Sequence, residues 1–228
     1  MSGYLAALFD MDGLLIDSER AMMSAWARVA EKRRVAFSQA AYLETVGRDR
    51  AQSDTVMARV FGGIEAAREA RREAAEILDD LPPAERFPLK AGARPLLDSL
   101  KKRGIPCAVA SSSTRDEIEE RLGLAGILPC FTALAAGNEV PAGKPDPAVY
   151  LLAAERLGVA ATLCLAFEDS PNGAQAVLAS GAGLVIVPDL AQPTADAAGR
   201  ALRVLRSLSA ALACVDAWFG KARRGDEK

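Results

Sequence analysis

The chain has no histidine among its 228 residues. That absence removes the serine and cysteine mechanisms that rely on an imidazole base, together with the commonest zinc ligand. Cysteine is scarce too. Cys107, Cys130, Cys164 and Cys214 stand far apart without a C-x-x-C pair, and none is followed six positions on by arginine. A cysteine-phosphatase loop is thereby excluded, and the apolar runs around most of them predict buried free thiols. A basic surplus is also missing: 28 Lys and Arg face 30 Asp and Glu, a formal net charge of −2. The electrostatic footprint of a nucleic-acid binder is therefore absent. No apolar run reaches the length needed to span a bilayer, and the first residues lack the basic start and apolar core of a secretory signal. The expectation is a cytoplasmic protein with neither nucleic acid nor membrane as partner.

Half the residues are hydrophobic and a quarter charged, an ordinary balance for a folded globular chain of one or two domains. Short apolar runs at 4–9, 105–110, 131–136, 163–167 and 183–187 read as strands. Helical patterns at 92–103, 114–122, 147–157 and 171–180 alternate with the later ones. Strands apolar on both faces, separated by helices, predict an α/β fold with a mostly parallel sheet covered on both sides. From 18 to 86 the alternation stops and helix follows helix, until "LPPAERFPLKAG" marks a return linker. The expected organisation is a core of 1–17 and 87–228 with a helical insertion over 18–86. A loop after 188, a last strand near 202–205 and a closing helix over 207–219 complete it.

Polar residues collect where the strands end. Asp10 closes the first, with Asp12 two residues on and Gly13 next. Ser111-Ser112-Ser113-Thr114 follows the second, and Glu168-Asp169-Ser170-Pro171-Asn172-Gly173 follows the fourth. In a parallel sheet these share the edge where ligands bind. Gly143-Lys144-Pro145-Asp146-Pro147 stands just ahead of a helix that can point at the same edge. Plainer readings exist: Thr114 and Glu117 fit a capping box, and Ser170-Pro171 and Asp146-Pro147 each fit an N-cap followed by proline. Gly143-Lys144 fails as a P-loop, because Pro145 replaces the Ser/Thr and the glycine spacing is wrong.

Caps do not explain the acids. Asp10, Glu168 and Asp169 would gather three like charges, and close carboxylates either raise each other's pKa or hold a cation. Hard oxygen ligands with open positions suit Mg²⁺. An aspartate, with a reference pKa of about 3.9, is already anionic at neutral pH and needs no histidine to act as nucleophile. Asp10 could then attack phosphorus while Asp12 handles the proton, and Ser111 and Lys144 would hold phosphate oxygens.

These residues resemble the haloacid dehalogenase-like superfamily of phosphotransferases. Its motif D-x-D-G-x-x-x-D-S is matched by residues 10–18, the Ser/Thr closing strand two by Ser111, the lysine of G-K-P-x-P by Lys144, and E-D-S-x-x-G by Glu168, Asp169, Ser170 and Gly173. The resemblance implies a Rossmann-like core with an α-helical cap inserted after the first motif. It implies Mg²⁺ held by Asp10, the main-chain carbonyl of Asp12 and Asp169, with Glu168 joining directly or through water. Within the superfamily the chain is similar to the branch of β-phosphoglucomutase and sugar-phosphate phosphatases. There a cap loop G-x-x-R-x-x-S, here Gly47 to Ser53, touches substrate. That makes Arg50 a candidate contact, with Ser112 and Asn172 beside the core motifs; Arg48 and Arg50 fit solvated charges at a helix start equally well. The mutase's cap histidine is matched here by Met22, which favours plain hydrolysis. The expected function is Mg²⁺-dependent hydrolysis of a small phosphorylated metabolite, with a phosphohexomutase and a non-catalytic phosphate-binding regulator as alternatives.

Overall fold

The computed structural model describes residues 3–46 and 50–220. Six strands, β1 (Ala6–Phe9), β2 (Cys107–Ala110), β3 (Ala133–Ala135), β4 (Cys164–Glu168), β5 (Gly183–Ile186) and β6 (Arg203–Val204), form one sheet in the order β3-β2-β1-β4-β5-β6. Every pairing is parallel. This is the expected Rossmann-like α/β architecture, with β1 flanked by β2 and β4.

Strand residues alternate between two cores, as a two-residue period requires. Ala7, Phe9, Val109, Leu165, Phe167 and Val185 face one cluster, and Ala6, Leu8, Ala108, Ala110, Ala166, Leu184 and Ile186 face the other. The first is covered by α6 (Ala93–Lys102) and α7 (Arg115–Leu124), with α11 (Leu208–Ala211) and α12 (Val215–Phe219). The second, lined largely by alanine, is covered by α8 (Ala148–Leu157), α9 (Pro171–Ser180) and α10 (Ala195–Arg200).

Between β1 and α6 lie α1 (Ser18–Arg33), α2 (Gln39–Leu43), α3 (Arg50–Phe61), α4 (Ile64–Asp79) and the short α5 (Pro83–Arg86). The first four pack around a cluster of their own, in which Trp26, Val29, Met57 and Phe61 meet an alanine stripe on α4, Ala67, Ala70 and Ala74. Its spacing of three and four puts the stripe on one helix face. The two chain crossings that join this insert to the sheet lie side by side. Asp17 N–H donates to the Pro88 carbonyl (2.8 Å) and Lys90 N–H to the Leu15 carbonyl (2.9 Å).

Three expectations need correction. The stretch after 188 is not all loop, because Thr194 caps α10 by accepting from Ala197 N–H. The closing helix is broken by a 3₁₀ turn at Leu212–Cys214, although Leu208, Ala211, Val215 and Trp218 keep one buried face. Cys130 and Cys214 are half-buried, whereas Cys107 and Cys164 are buried. Among the described residues no helix is long and apolar enough to cross a membrane.

Phe167 stacks on Phe9 with ring centroids 4.9 Å apart and meets Trp218 edge-on at 5.9 Å. Phe167→Ala should therefore cost about 3–5 kcal/mol of stability, seen as a lower urea midpoint at unchanged slope.

Candidate active site

The parallel register sets the floor of the cleft. Phe9 is paired with Phe167 across β1 and β4, so the next residues on each strand, Asp10 and Glu168, emerge side by side at the carboxyl edge. Lys144 Nζ lies 2.6 Å from Asp10 Oδ1, 2.6 Å from Glu168 Oε1 and 3.2 Å from the Tyr150 hydroxyl. Glu168 is wholly buried, and both its oxygens are occupied. Oε1 also accepts from the Tyr150 hydroxyl, while Oε2 accepts from the backbone N–H groups of Asp169 and Ser170 and from Ser170 Oγ. Gly173 is required beneath it, because a Cβ there would overlap the Glu168 carboxylate.

Asp10, Glu168 and Asp169 each present a carboxylate oxygen within 4.8 Å of the others. Burial opposes ionisation of Asp10 and outweighs Lys144, and with Glu168 adding repulsion the carboxyl is pushed up to about 7. Metal-free, Asp10 is therefore harder to ionise than an exposed aspartate, and a cation beside it would lower that barrier. Burial also lifts Asp169 well above the carboxylate range, with Glu168 and Asp10 as further causes. For Glu168 burial is overcome by Lys144, which holds it ionised; the Lys144 ammonium is in turn held charged against its own burial by Asp10 and Glu168. Three acids against one ammonium, all hard oxygen donors, fit a divalent cation such as Mg²⁺.

Above this floor is a cavity of about 570 Å³, walled by both the sheet edge and the helical insert. Asp10, Asp12, Ser111, Ser112, Lys144, Asp169 and Arg50 all line it. Asn172, in the first turn of α9, is not among the lining residues. Ser111 is buried and accepts from Ser113 N–H (3.1 Å). Arg50, the first residue of α3, pairs with Glu117 at 3.2 Å. Gly47 and Arg48 lie outside the described residues. Gly13, at φ +87°, lets the chain turn where a Cβ would run into the Asp169 carboxylate. Met22 lines the cavity as an apolar thioether.

Several residues of the cleft carry no sequence signal. Arg121 Nη1 lies 3.0 and 3.1 Å from the two oxygens of Asp12, which also accept from Ser18 Oγ and from Ser113 Oγ (3.1 Å). Glu19 accepts from the buried Tyr42 hydroxyl at 2.6 Å on the insert side. Tyr150 completes the Lys144 and Glu168 contacts. Arg121, Glu19, Tyr42 and Tyr150 are brought in by tertiary packing rather than by a motif, whereas Ser18, inside D-x-D-G-x-x-x-D-S, and Ser113, in the serine run after the second strand, carry a signal.

A family model described as haloacid dehalogenase-like hydrolase matches residues 4–181. Hexitol phosphatase B of Escherichia coli (strain K12) is 35% identical over 187 residues, covering 81% of this chain and 83% of its own. The validoxylamine A 7'-phosphate phosphatase of Streptomyces hygroscopicus subsp. limoneus is 32% identical over 179 residues, covering 78% and 83%. Among solved structures, a haloacid dehalogenase family hydrolase from Deinococcus radiodurans R1, with bound phosphate and sodium, superimposes with a TM-score of 0.76. It is 26% identical, over 95% of this chain and 97% of that one.

Glu19 gives a pH test of the cleft. Burial, with Asp12 and Asp189 nearby, raises its carboxyl from 4.5 to about 7 despite the Tyr42 hydrogen bond. The folded state then holds the proton more tightly than the unfolded state, so stability falls as pH rises from 4.5 to 7. In metal-free buffer the thermal midpoint of Glu19→Gln should gain on the wild type across that window, and parallel curves would refute the shift. The motifs, the parallel fold and these relatives together establish that the chain belongs to the haloacid dehalogenase-like hydrolases.

Proposed function

We propose that this hydrolase is a Mg²⁺-dependent phosphatase acting on a small phosphorylated metabolite, a sugar phosphate, through an aspartyl-phosphate on Asp10. The observation that carries the reading is the convergence of Asp10, Lys144, Glu168 and Asp169 at the floor of one cavity, with Asp12 and Ser111 on its wall. The relatives named for hexitol and validoxylamine phosphates support the substrate class.

Asp10, Asp169 and the main-chain carbonyl of Asp12 would hold the cation, while Glu168, whose oxygens are already occupied, fixes Lys144. When bound, the cation offsets charge on the transferring phosphoryl group. An Asp10 oxygen attacks phosphorus as the ester P–O bond breaks, and Asp12 gives its proton to the departing oxygen. Water then attacks the aspartyl-phosphate, its proton passes to Asp12, and cleavage of the P–O bond to Asp10 restores the carboxylate. Ser111 and Lys144 hold phosphate oxygens and offset charge as it develops.

The insert of 18–86 acts as a cap over the core of 1–17 and 87–228. Support comes from the cavity wall, to which both contribute, and from Arg50, which reaches the core at Glu117. Arg50, Ser112 and Asn172 are the proposed substrate contacts, Asn172 from outside the described lining. Met22 cannot carry a proton, which favours hydrolysis over the mutase reaction. The retained acids argue against a purely regulatory binder.

The purified protein should release inorganic phosphate from p-nitrophenyl phosphate and from sugar phosphates when Mg²⁺ is present. Excess EDTA, or Asp10→Asn, should reduce release to background; turnover that survives either change would sink the mechanism.

A further inference from the structure

Asp12 is held from three sides, and its one cationic partner among the described residues comes from neither the first strand nor the insert. Arg121 projects from α7, and a single guanidinium nitrogen, Nη1, touches both carboxylate oxygens at 3.0 and 3.1 Å. Ser18 Oγ occupies Oδ1 from the start of the insert, and Ser113 Oγ occupies Oδ2 from the loop after β2. Arg121 is itself fixed. Its Nη2 lies 3.4 Å from Glu117 Oε1, its guanidinium stands 5.6 Å from the centroid of the Phe87 ring, and its side chain is only 20% exposed. Glu117 Oε1 is the same oxygen that Arg50 reaches from α3 at 3.2 Å. A continuous run of charges thus leads from the insert to Asp12: Arg50, Glu117, Arg121, Asp12.

We infer that Arg121 is a positioning residue for proton transfer by Asp12, and that Glu117 fixes Arg121 and links it to the insert through Arg50. The inference rests on the reading of Asp12 as the proton carrier. Delivery needs an Asp12 oxygen within about 2.6–3.2 Å of the ester oxygen. Asp12 precedes a glycine turn, and a short carboxylate there has rotamer freedom to lose that distance. One guanidinium nitrogen in contact with both oxygens lets either oxygen turn to the substrate while the other stays anchored. An ordinary surface ion pair does none of this. Exposed pairs share no cavity with a proton carrier and contribute little, whereas Arg121 lines the cavity wall with Asp12.

Positioning of a proton donor can be separated from folding and from substrate binding by the leaving group. A nitrophenolate departs without a proton; an alkoxide does not. Turnover of p-nitrophenyl phosphate is compared with that of glucose 6-phosphate and glycerol 2-phosphate in wild type, Arg121→Leu, Arg121→Lys and Asp12→Asn, each checked by thermal unfolding. In Arg121→Leu the ratio of alkyl to aryl kcat should fall at least about tenfold, a partial loss of the roughly 10²–10⁴-fold that general-acid catalysis supplies. Arg121→Lys, which keeps the charge, should lie between wild type and leucine, and Asp12→Asn should show the same dependence more strongly. An equal loss on both classes of ester, or a raised KM with unchanged kcat, would make Arg121 a structural or substrate-binding residue and overturn the inference. If Asp12→Asn itself ignores the leaving group, the reading of Asp12 falls first.

Discussion

The cleft depends on one buried ammonium. Lys144 sits between Asp10 and Glu168 at 2.6 Å from each, with Tyr150 over its flank. Removing one member of a buried ion pair typically costs about 3–5 kcal/mol, because it strands the other charge. Here three carboxylates share one ammonium, so the centre is short of positive charge even when intact. Burial first, and then the repulsion among the acids, raises Asp10 and Asp169, and such a cluster fits a divalent cation. Phe9 and Phe167, stacked one residue below, set the spacing at which the acids meet.

How much of this was legible follows from where each signal resides. The strands could be read because parallel strands are apolar on both faces, and the residues at their ends, Asp10, Ser111, Glu168 and Asp169, are plain in the sequence. Lys144 was legible as the lysine of G-K-P-x-P ahead of a helix, but its insertion between the two acids depends on how α8 packs against the sheet. Arg121 was not legible at all. At four residues from Glu117 it reads as a helix-surface pair, and only the approach of α7 to the Gly13 turn makes it a partner of Asp12. Glu19 and Tyr42 meet across 23 residues of the insert, a pairing no local pattern encodes. The broken closing helix escaped for the opposite reason, since its buried face keeps helical spacing through the 3₁₀ turn.

The acids of the cleft therefore play unlike parts although their side chains are nearly the same. Glu168 is saturated by donors and serves as a fixed counter-charge. Asp10 and Asp169 face the cavity, buried and short of partners. Asp12 is ringed by two hydroxyls and an arginine that reach it from three separate elements. Environment, not residue type, separates them.

The paired crossings at Leu15–Asp17 and Pro88–Lys90 bear on how such a molecule can change over time. Seen from the sheet, the entire insert is a loop whose ends are already clamped by two backbone hydrogen bonds. Because the entropy of closing a loop grows only slowly with its length, the sheet is nearly indifferent to how many helices the loop contains. The insert also keeps its own apolar cluster, separate from the two clusters that pack on β1 and β4. A foreign helical segment spliced at this seam would meet the same two hydrogen bonds, which makes the seam a natural graft point.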